Sequence, residues 1–198
     1  DSQQAYAPGF FSPWRPPGSS GGSDYRDKFQ NCTTTEIDRT ETTDYQRETG
    51  NMIGPTSQGI QDLVDSDPLD LKWVEDDANG NGIIEDGEYG ARADGGTGQF
   101  YTPEQLIALA NPRIGVIPMM NPEYAMGSGG GPSNPLRFNA FRYMFFDGCV
   151  NASNLQPSNR CGNNDIVIAR FLTPAVSGTG GGGPTTAGPE VKYLRLVE

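Results

Sequence analysis

Twelve residues at positions 77–88, DANGNGIIEDGE, place oxygen-bearing groups at a spacing that constrains the backbone path. Side-chain oxygens stand at loop positions 1, 3 and 5, a glycine at position 6 permits a sharp turn, and a glutamate closes the loop at position 12. This is the spacing of an EF-hand-type loop, in which oxygen atoms alone surround Ca²⁺. The predicted ligands are Asp77, Asn79, Asn81, the backbone carbonyl of Ile83, Glu85 (directly or through a water) and Glu88.

The alternative to a calcium site is a polar turn, because Asn-Gly and Asp-Gly pairs favour turns with or without a metal. The agreement at every key position favours calcium. Among the formal ligands only Asp77 and Glu88 are certainly anionic, so we expect a Kd of roughly 10⁻⁴ to 10⁻³ M. Residues 89–98 are rich in glycine and predict no outgoing helix, which indicates an isolated loop rather than a paired sensor.

Glycine and proline divide the chain into short runs: 27 Gly and 16 Pro stand among 198 residues. Such a chain favours turns and extended backbone over long helices. We therefore predict an α+β fold, mainly an antiparallel β domain with a few short helices, long Gly/Pro-rich loops and the inserted calcium loop. Runs of β-branched and aromatic residues predict strands at 113–119, 138–146, 165–172 and 191–197.

Three short helices are predicted in the first half of the chain. Thr56 is expected to cap the first, and Asp67 with Pro68 to begin a second that runs through Trp73 into the calcium loop. Thr102, Pro103 and Gln105 predict a capping box for a third helix. Ile60, Leu63 and Val64 are expected to share one face of the first helix. The residues expected to face inward from the third helix are Leu106, Leu109 and Ala110. The polar, Thr-rich residues 24–48 are expected to supply one or two exposed strands.

Residues 1–23 are interpreted as an N-terminal arm, separate from a single domain at 24–198 that contains a Gly-rich loop at 177–190. Pro, Gly and Ser punctuate the arm and predict no helix. Its aromatic residues are costly to expose and suit interface anchors, so we expect them to dock in a groove on a neighbouring subunit. A disordered leader is the alternative. The proposed anchors are Tyr6, Phe10, Phe11 and Trp14.

The chain has three cysteines, and two of them bracket a polar, turn-rich segment. We predict a disulfide between Cys149 and Cys161, worth about 3 kcal/mol. Three reduced thiols in a cytosolic protein is the alternative. An extracellular or cell-surface location is favoured because the calcium loop indicates the same setting. Cys32 then remains as a free thiol or as a link to another chain.

Charge and composition exclude several functions. The net charge of −11 argues against nucleic acid and against anionic membrane surfaces, which both need clusters of Lys and Arg. The absence of histidine removes the commonest general base and every His-based zinc or haem site. No apolar run approaches the length of a membrane span.

Three stretches resemble the extracytoplasmic part of TadE/TadG-like proteins of the Tad (Flp) pilus-assembly system. They are ETGNMIGPT at 48–56, NPRIGVIP at 111–118 and DIVIARF at 165–171. The resemblance implies a non-enzymatic, structural or adhesive component of a bacterial appendage, such as a minor pilin, whose partners are neighbouring subunits or pilus components. Family members usually begin with a membrane-spanning helix, whereas the aromatic, Pro-rich arm stands in its place here. Either such a helix has been removed, or the protein is a soluble relative that assembles through the arm.

Two other functions compete with a pilus-associated role. A self-assembling extracellular filament subunit would use the arm, Cys32 and the Gly-rich loop for contacts between copies. A small secreted carbohydrate-active enzyme would use two carboxylates, but many of the acidic residues lie in the calcium loop or in Thr-rich segments that are expected to be exposed. We therefore expect no catalytic residues.

Overall fold

A computed structural model describes residues 13–16, 18–31, 36–38, 40, 42–46, 48, 52–75, 88–120, 136–158, 160–162, 165–172 and 191–194. The helices within these residues are α1 (Gly21–Asn31), α2 (Ile53–Asp65) and α3 (Pro103–Ala108), with a short 3-10 turn at Asp94–Gly96. The strands are β1 (Lys72–Glu75), β2 (Tyr89–Arg92), β3 (Phe100–Tyr101), β4 (Ile114–Met120), β5 (Phe138–Asn151), β6 (Asp165–Phe171) and β7 (Val191–Leu194).

The strands form two antiparallel sheets, one in the order β1-β2-β3 and one in the order β4-β5-β6-β7. This confirms the α+β class and the antiparallel pairing expected from the sequence. β5 continues five residues beyond the predicted end at residue 146, because its second half still pairs with β6. The register shifts between Phe146 and Gly148, and Gly148 has a φ of +113° that a side chain would disfavour.

The four-stranded sheet has an apolar core on each face. Met144 and Phe146 of β5 pack with Ile60 and Leu63 of α2 on one face. Phe145 points to the other face, as alternation along a strand requires, and packs with the first sheet and α3. The sheet therefore lies between a helical layer, α1 with α2, and a second layer built from the small sheet and α3.

The helical layer differs from two predictions, that of exposed strands at 24–48 and that of no helix within residues 1–23. Residues 21–31 form α1, which packs on α2 through an Arg26–Asp62 ion pair and through Phe29 against Gly59. Gly59 leaves room for the Phe29 ring, since a Cβ there would lie 3.1 Å from it. The polar residues of this segment carry no strong amphipathic pattern, and packing on α2 decides the conformation.

The predicted helix at Asp67–Pro68 is wrong. The Asp67 carboxylate accepts the backbone N–H groups of Leu69 and Leu71, which forms a turn in which Asp70 has a φ of +45°. The chain then enters β1, so Trp73 lies on a strand. The side-chain oxygens of Asp67 satisfy backbone donors as a helix cap would, but here they hold a non-helical turn.

The other two helices were placed correctly but bounded imperfectly. α2 begins at Ile53 rather than at Thr56, whose buried hydroxyl instead donates to the Tyr25 hydroxyl at 3.3 Å. The capping box of Thr102 and Gln105 is confirmed for α3. That helix ends at Ala108, so Ala110, predicted to face inward, is exposed.

Candidate functional site

The β1–β2 hairpin presents the segment that carries the calcium motif. Its register pairs Trp73 with Ala91 and Glu75 with Tyr89. The chain therefore leaves β1 and re-enters β2 at adjacent points, with residues 76–88 between them. An EF-hand-type loop needs this closure, because its first and last ligands bind the same ion.

Most of the predicted calcium ligands lie outside the described residues. Glu88 is described and half-buried, directly before β2. Among the residues that the structure describes, no group of three acidic or cysteine side chains is arranged to hold a metal. The ligands outside the described residues are Asp77, Asn79, Asn81, Ile83 and Glu85.

Trp73 attaches this hairpin to the four-stranded sheet. Its ring stacks on Tyr89 with centroids 6.4 Å apart and lies 5.8 Å from the ring of Phe145. The Arg170 guanidinium lies 5.1 Å from the Trp73 ring centroid, within range of a cation–π interaction. Trp73 thus contacts Tyr89, which is the neighbour of Glu88, and the core at the same time.

A buried charge network lies beneath the hairpin, centred on Arg113, whose side chain is 3% exposed. Arg113 forms ion pairs with Asp67 at 3.4 Å and with Asp147 at 3.5 Å. It also donates hydrogen bonds to the carbonyls of Phe146, at 2.8 Å, and Leu71. Burial lowers the pKa of Arg113, and the carboxylates of Asp147 and Asp67 oppose that shift.

Asp147 extends the network to the hairpin and to β6. Its carboxylate accepts the Trp73 backbone N–H at 3.4 Å and two donors of Arg170 at 3.2 and 3.3 Å. Asn111 donates to Asp67 at 2.6 Å. Two guanidinium groups and two carboxylates therefore balance, and the arrangement joins the turn before β1 to β5, to β6 and to the residue that precedes β4. Its geometry is that of a rigid support.

Reasoning from the sequence missed this network. The sequence predicts a helix cap at Asp67 and a strand that begins at Arg113, and it indicates no role for Asp147 or Arg170. A signal was present, because charged residues inside apolar strand runs are buried only with partners. Finding which of them pair required the register of the sheet.

The predicted disulfide is present between Cys149 of β5 and Cys161, with Cα atoms 5.3 Å apart. The Cys161 backbone N–H donates to the side-chain carbonyl of Gln61 on α2 at 2.8 Å. The bridge therefore ties the end of β5 to the helical layer. Cys32 lies outside the described residues.

Trp14 lies in a cluster of its own chain. Its ring packs edge-to-face on Tyr45 and on Phe138, with centroids 5.6 and 5.4 Å apart. The neighbouring Arg15 donates two hydrogen bonds to the Glu48 carboxylate, at 2.8 and 3.0 Å. The other proposed anchors of the N-terminal arm lie outside the described residues: Tyr6, Phe10 and Phe11.

Comparison of the chain with protein-family models, with curated proteins and with solved structures gave no match. None of the helices in the described part is both long enough and apolar enough to cross a membrane.

Proposed function

We propose that this protein is a non-enzymatic structural or adhesive component of a bacterial extracellular appendage, with calcium bound in the loop at 77–88. The observation that carries the proposal is the register of the β1–β2 hairpin. By pairing Glu75 with Tyr89, it brings together the two ends of a segment whose ligand spacing is that of a calcium loop.

The rigid attachment of the hairpin gives calcium a structural role. Glu88 is adjacent to Tyr89, which stacks on Trp73, and Trp73 contacts Arg170 and Phe145. An ion that fixes the loop therefore stabilises contacts that reach the core. Linkage of this kind is worth about 2.7 kcal/mol when calcium is at a hundredfold excess over Kd.

The disulfide and the expected weak affinity support an extracellular or cell-surface location. Disulfides such as Cys149–Cys161 persist in oxidising compartments. A site with a Kd of roughly 10⁻⁴ to 10⁻³ M belongs to the range of extracellular calcium modules.

The resemblance to TadE/TadG-like proteins supports a role in an appendage. Residues of its motifs are buried and make contacts that hold the fold together. Glu48 and Thr56, from the first motif, are buried and contact Arg15 and Tyr25. Arg113, from the second motif, is the centre of the charge network. The residues that resemble those of such proteins therefore stabilise the fold, in keeping with a structural role.

A calcium titration followed by Trp73 fluorescence tests the metal site. The Trp14→Phe variant leaves Trp73 as the single tryptophan, since the chain has two. We expect a saturable change with a midpoint of roughly 10⁻⁴ to 10⁻³ M. The matched control adds Asp77→Asn and Glu88→Gln and should abolish it. A flat titration into the millimolar range would refute the site.

The second candidate, a self-assembling filament subunit, is favoured by the docked segment at Trp14 and Arg15. Negative-stain microscopy separates the two: purified protein alone forms fibres if it is a filament subunit, whereas an appendage component requires other subunits. Polysaccharide turnover that is lost on Asp→Asn substitution outside the calcium loop would instead establish an enzyme.

A further inference from the structure

Residues 13–16 form a short segment that completes an edge of the domain; we refer to it as the plug. The Arg15 backbone N–H donates to the Gln46 carbonyl at 2.8 Å, and the Glu48 N–H donates to the Pro13 carbonyl at 3.1 Å. Tyr45 in turn pairs with Leu136, directly before β5. Residues 45–48 therefore lie between the plug and Leu136.

The surface that receives the plug, formed by Tyr45, Glu48, Leu136 and Phe138, is referred to as the slot. All four of these residues are buried. Trp14 covers the two aromatic rings, and Arg15 forks onto the Glu48 carboxylate, whose side chain is 1% exposed. An apolar anchor next to a bidentate ion pair is a recognition pattern specific for this plug.

An empty slot is unfavourable. Removal of the plug would uncover the Tyr45 and Phe138 rings and would take a bidentate guanidinium from a buried carboxylate. Glu48 has further contacts, but it would lose its two hydrogen bonds from Arg15, and this loss adds to the cost of exposing the rings. The slot must therefore be filled, but its contacts do not depend on which copy of the chain supplies the plug.

The connection from the plug to the rest of the chain permits exchange. Gly18 and Gly21 have φ values of +79° and +77°, and neither has an atom within 4 Å of the position that a Cβ would occupy. α1 follows directly and is held independently by the Arg26–Asp62 pair. Ser19, which is buried, donates its N–H and its hydroxyl to the Pro16 carbonyl, so the plug and Ser19 would leave the slot together and the chain would turn at Gly21, where α1 begins.

We propose that the plug of one copy occupies the slot of a second copy, so that Trp14 and Arg15 join subunits by the contacts they make within one chain. Exchange of an identical element is a low-cost route to association, since no new interface is required. This inference rests on the proposed assembly role and names its partner as another copy of this chain.

Charge reversal tests the exchange. Arg15→Glu places two carboxylates together, and Glu48→Arg places two guanidinium groups together, in the monomer and in any homodimer. A mixture of the two variants restores both pairs, but only between chains. Both are made with Cys32→Ser, mixed in denaturant without reductant and refolded together, so that a variant unable to fold alone is still tested.

The expected result is that the mixture sediments mainly at twice the chain mass, whereas each variant alone does not. The double variant R15E/E48R should fold as wild type, because it restores the pair within one chain. A mixture that only sums the behaviour of the separate variants overturns the proposal. The wild-type chain, refolded at rising concentration, must also yield a dimer, and R15E must suppress that dimer. If the wild-type chain yields no dimer, the proposal is overturned whatever the two reversed variants do.

The outcomes separate this inference from the proposed function. If complementation fails while calcium still binds and fibres or appendages still form, subunits associate by other contacts. If complementation succeeds while calcium has no effect, the exchange stands and the calcium-stabilised role fails.

Discussion

Arg113 is the single residue on which most of the support beneath the hairpin depends. Its guanidinium faces Asp67, whose side chain is fully buried, and lies 4.6 Å from the centroid of the Phe145 ring. In the folded protein the Arg113 guanidinium is surrounded by carboxylates instead of water. Removing it would therefore leave buried negative charge that has lost this partner, and not only a cavity.

Arg113→Met is therefore expected to lower the free energy of unfolding by roughly 3–5 kcal/mol, as for other buried pairs that lose one partner. Chemical denaturation measures the loss. Arg160→Met is the matched control, because Arg160 is exposed, and it should change stability by less than about 0.5 kcal/mol. Combining Arg113→Met with Asp67→Asn should recover part of the loss; strict additivity would contradict the pairing.

Ionisation of the Tyr25 phenol makes the stability of the protein depend on pH in the alkaline range. Burial raises the pKa of Tyr25 to about 12 from 10.0, the hydrogen bond from Thr56 opposes that shift, and Glu48 adds to it. The folded state thus holds the phenolic proton more tightly than the unfolded chain. The contribution is complete below pH 10 and is lost as the pH rises through 12.

Tyr25→Phe removes this contribution. Between pH 10 and 12 the wild type should lose up to about 3 kcal/mol relative to the variant, and near neutrality the variant should be weaker by about 1 kcal/mol through the lost Thr56 hydrogen bond. Unfolding free energies measured across that pH range check both signs. Parallel curves for the two proteins would contradict the burial of this phenol.

At the scale of elements, β4 shows how a proline is accommodated within a strand. β4 pairs with β5 and is at one edge of its sheet in the described part of the chain. Phe146 N–H donates to the Arg113 carbonyl, so alternation directs the backbone nitrogens of Val116 and Pro118 away from β5. Pro118 has no N–H to offer a further strand, which protects this edge from association.

Pro118→Val should therefore increase self-association, since it adds an edge donor and a β-branched side chain beside the half-exposed Val116. Sedimentation at several protein concentrations measures the effect. Adding Val116→Lys to the same chain should reverse it, because a charge on the edge opposes pairing. Self-association equal to that of the wild type after Pro118→Val would show that the proline does not protect this edge.

The disulfide acts on two elements at once, since it joins the end of β5 to a segment held by α2. The Cys149→Ala/Cys161→Ala variant should lose about 3 kcal/mol of stability, in keeping with its short loop. Its calcium titration should keep its midpoint, because the bridge is at the end of β5 in the four-stranded sheet, whereas the hairpin belongs to the three-stranded sheet. A shifted midpoint would show that the two regions are coupled.

Local patterns identified the elements whose signals are local. Strand propensity and helix capping depend on neighbouring residues. The sequence therefore predicts the strands at 165–172 and 138–146 and the capping box at Thr102. It does not predict β2: residues 89–98 are Gly-rich, and Gly90 is required because a Cβ there would lie 2.1 Å from the Tyr101 carbonyl oxygen. α1 and the charge network depend on contacts between distant residues, which a single sequence does not reveal.

At the scale of the whole molecule, the domain has limited apolar area and is stabilised by further interactions in addition to its apolar clusters. The 34% hydrophobic content leaves each face of the large sheet a modest cluster. The disulfide, the buried charge network and the docked plug each hold a different border. In the proposed function, calcium binding is the fourth such interaction, and it holds the hairpin.

The unfolding free energy in saturating calcium and in chelator, measured for the wild type and for Asp77→Asn/Glu88→Gln, tests this account most directly. At a calcium concentration a hundredfold above Kd, the wild type should gain about 2.7 kcal/mol, and the variant should gain nothing. Equal stability of the wild type in calcium and in chelator would contradict the account.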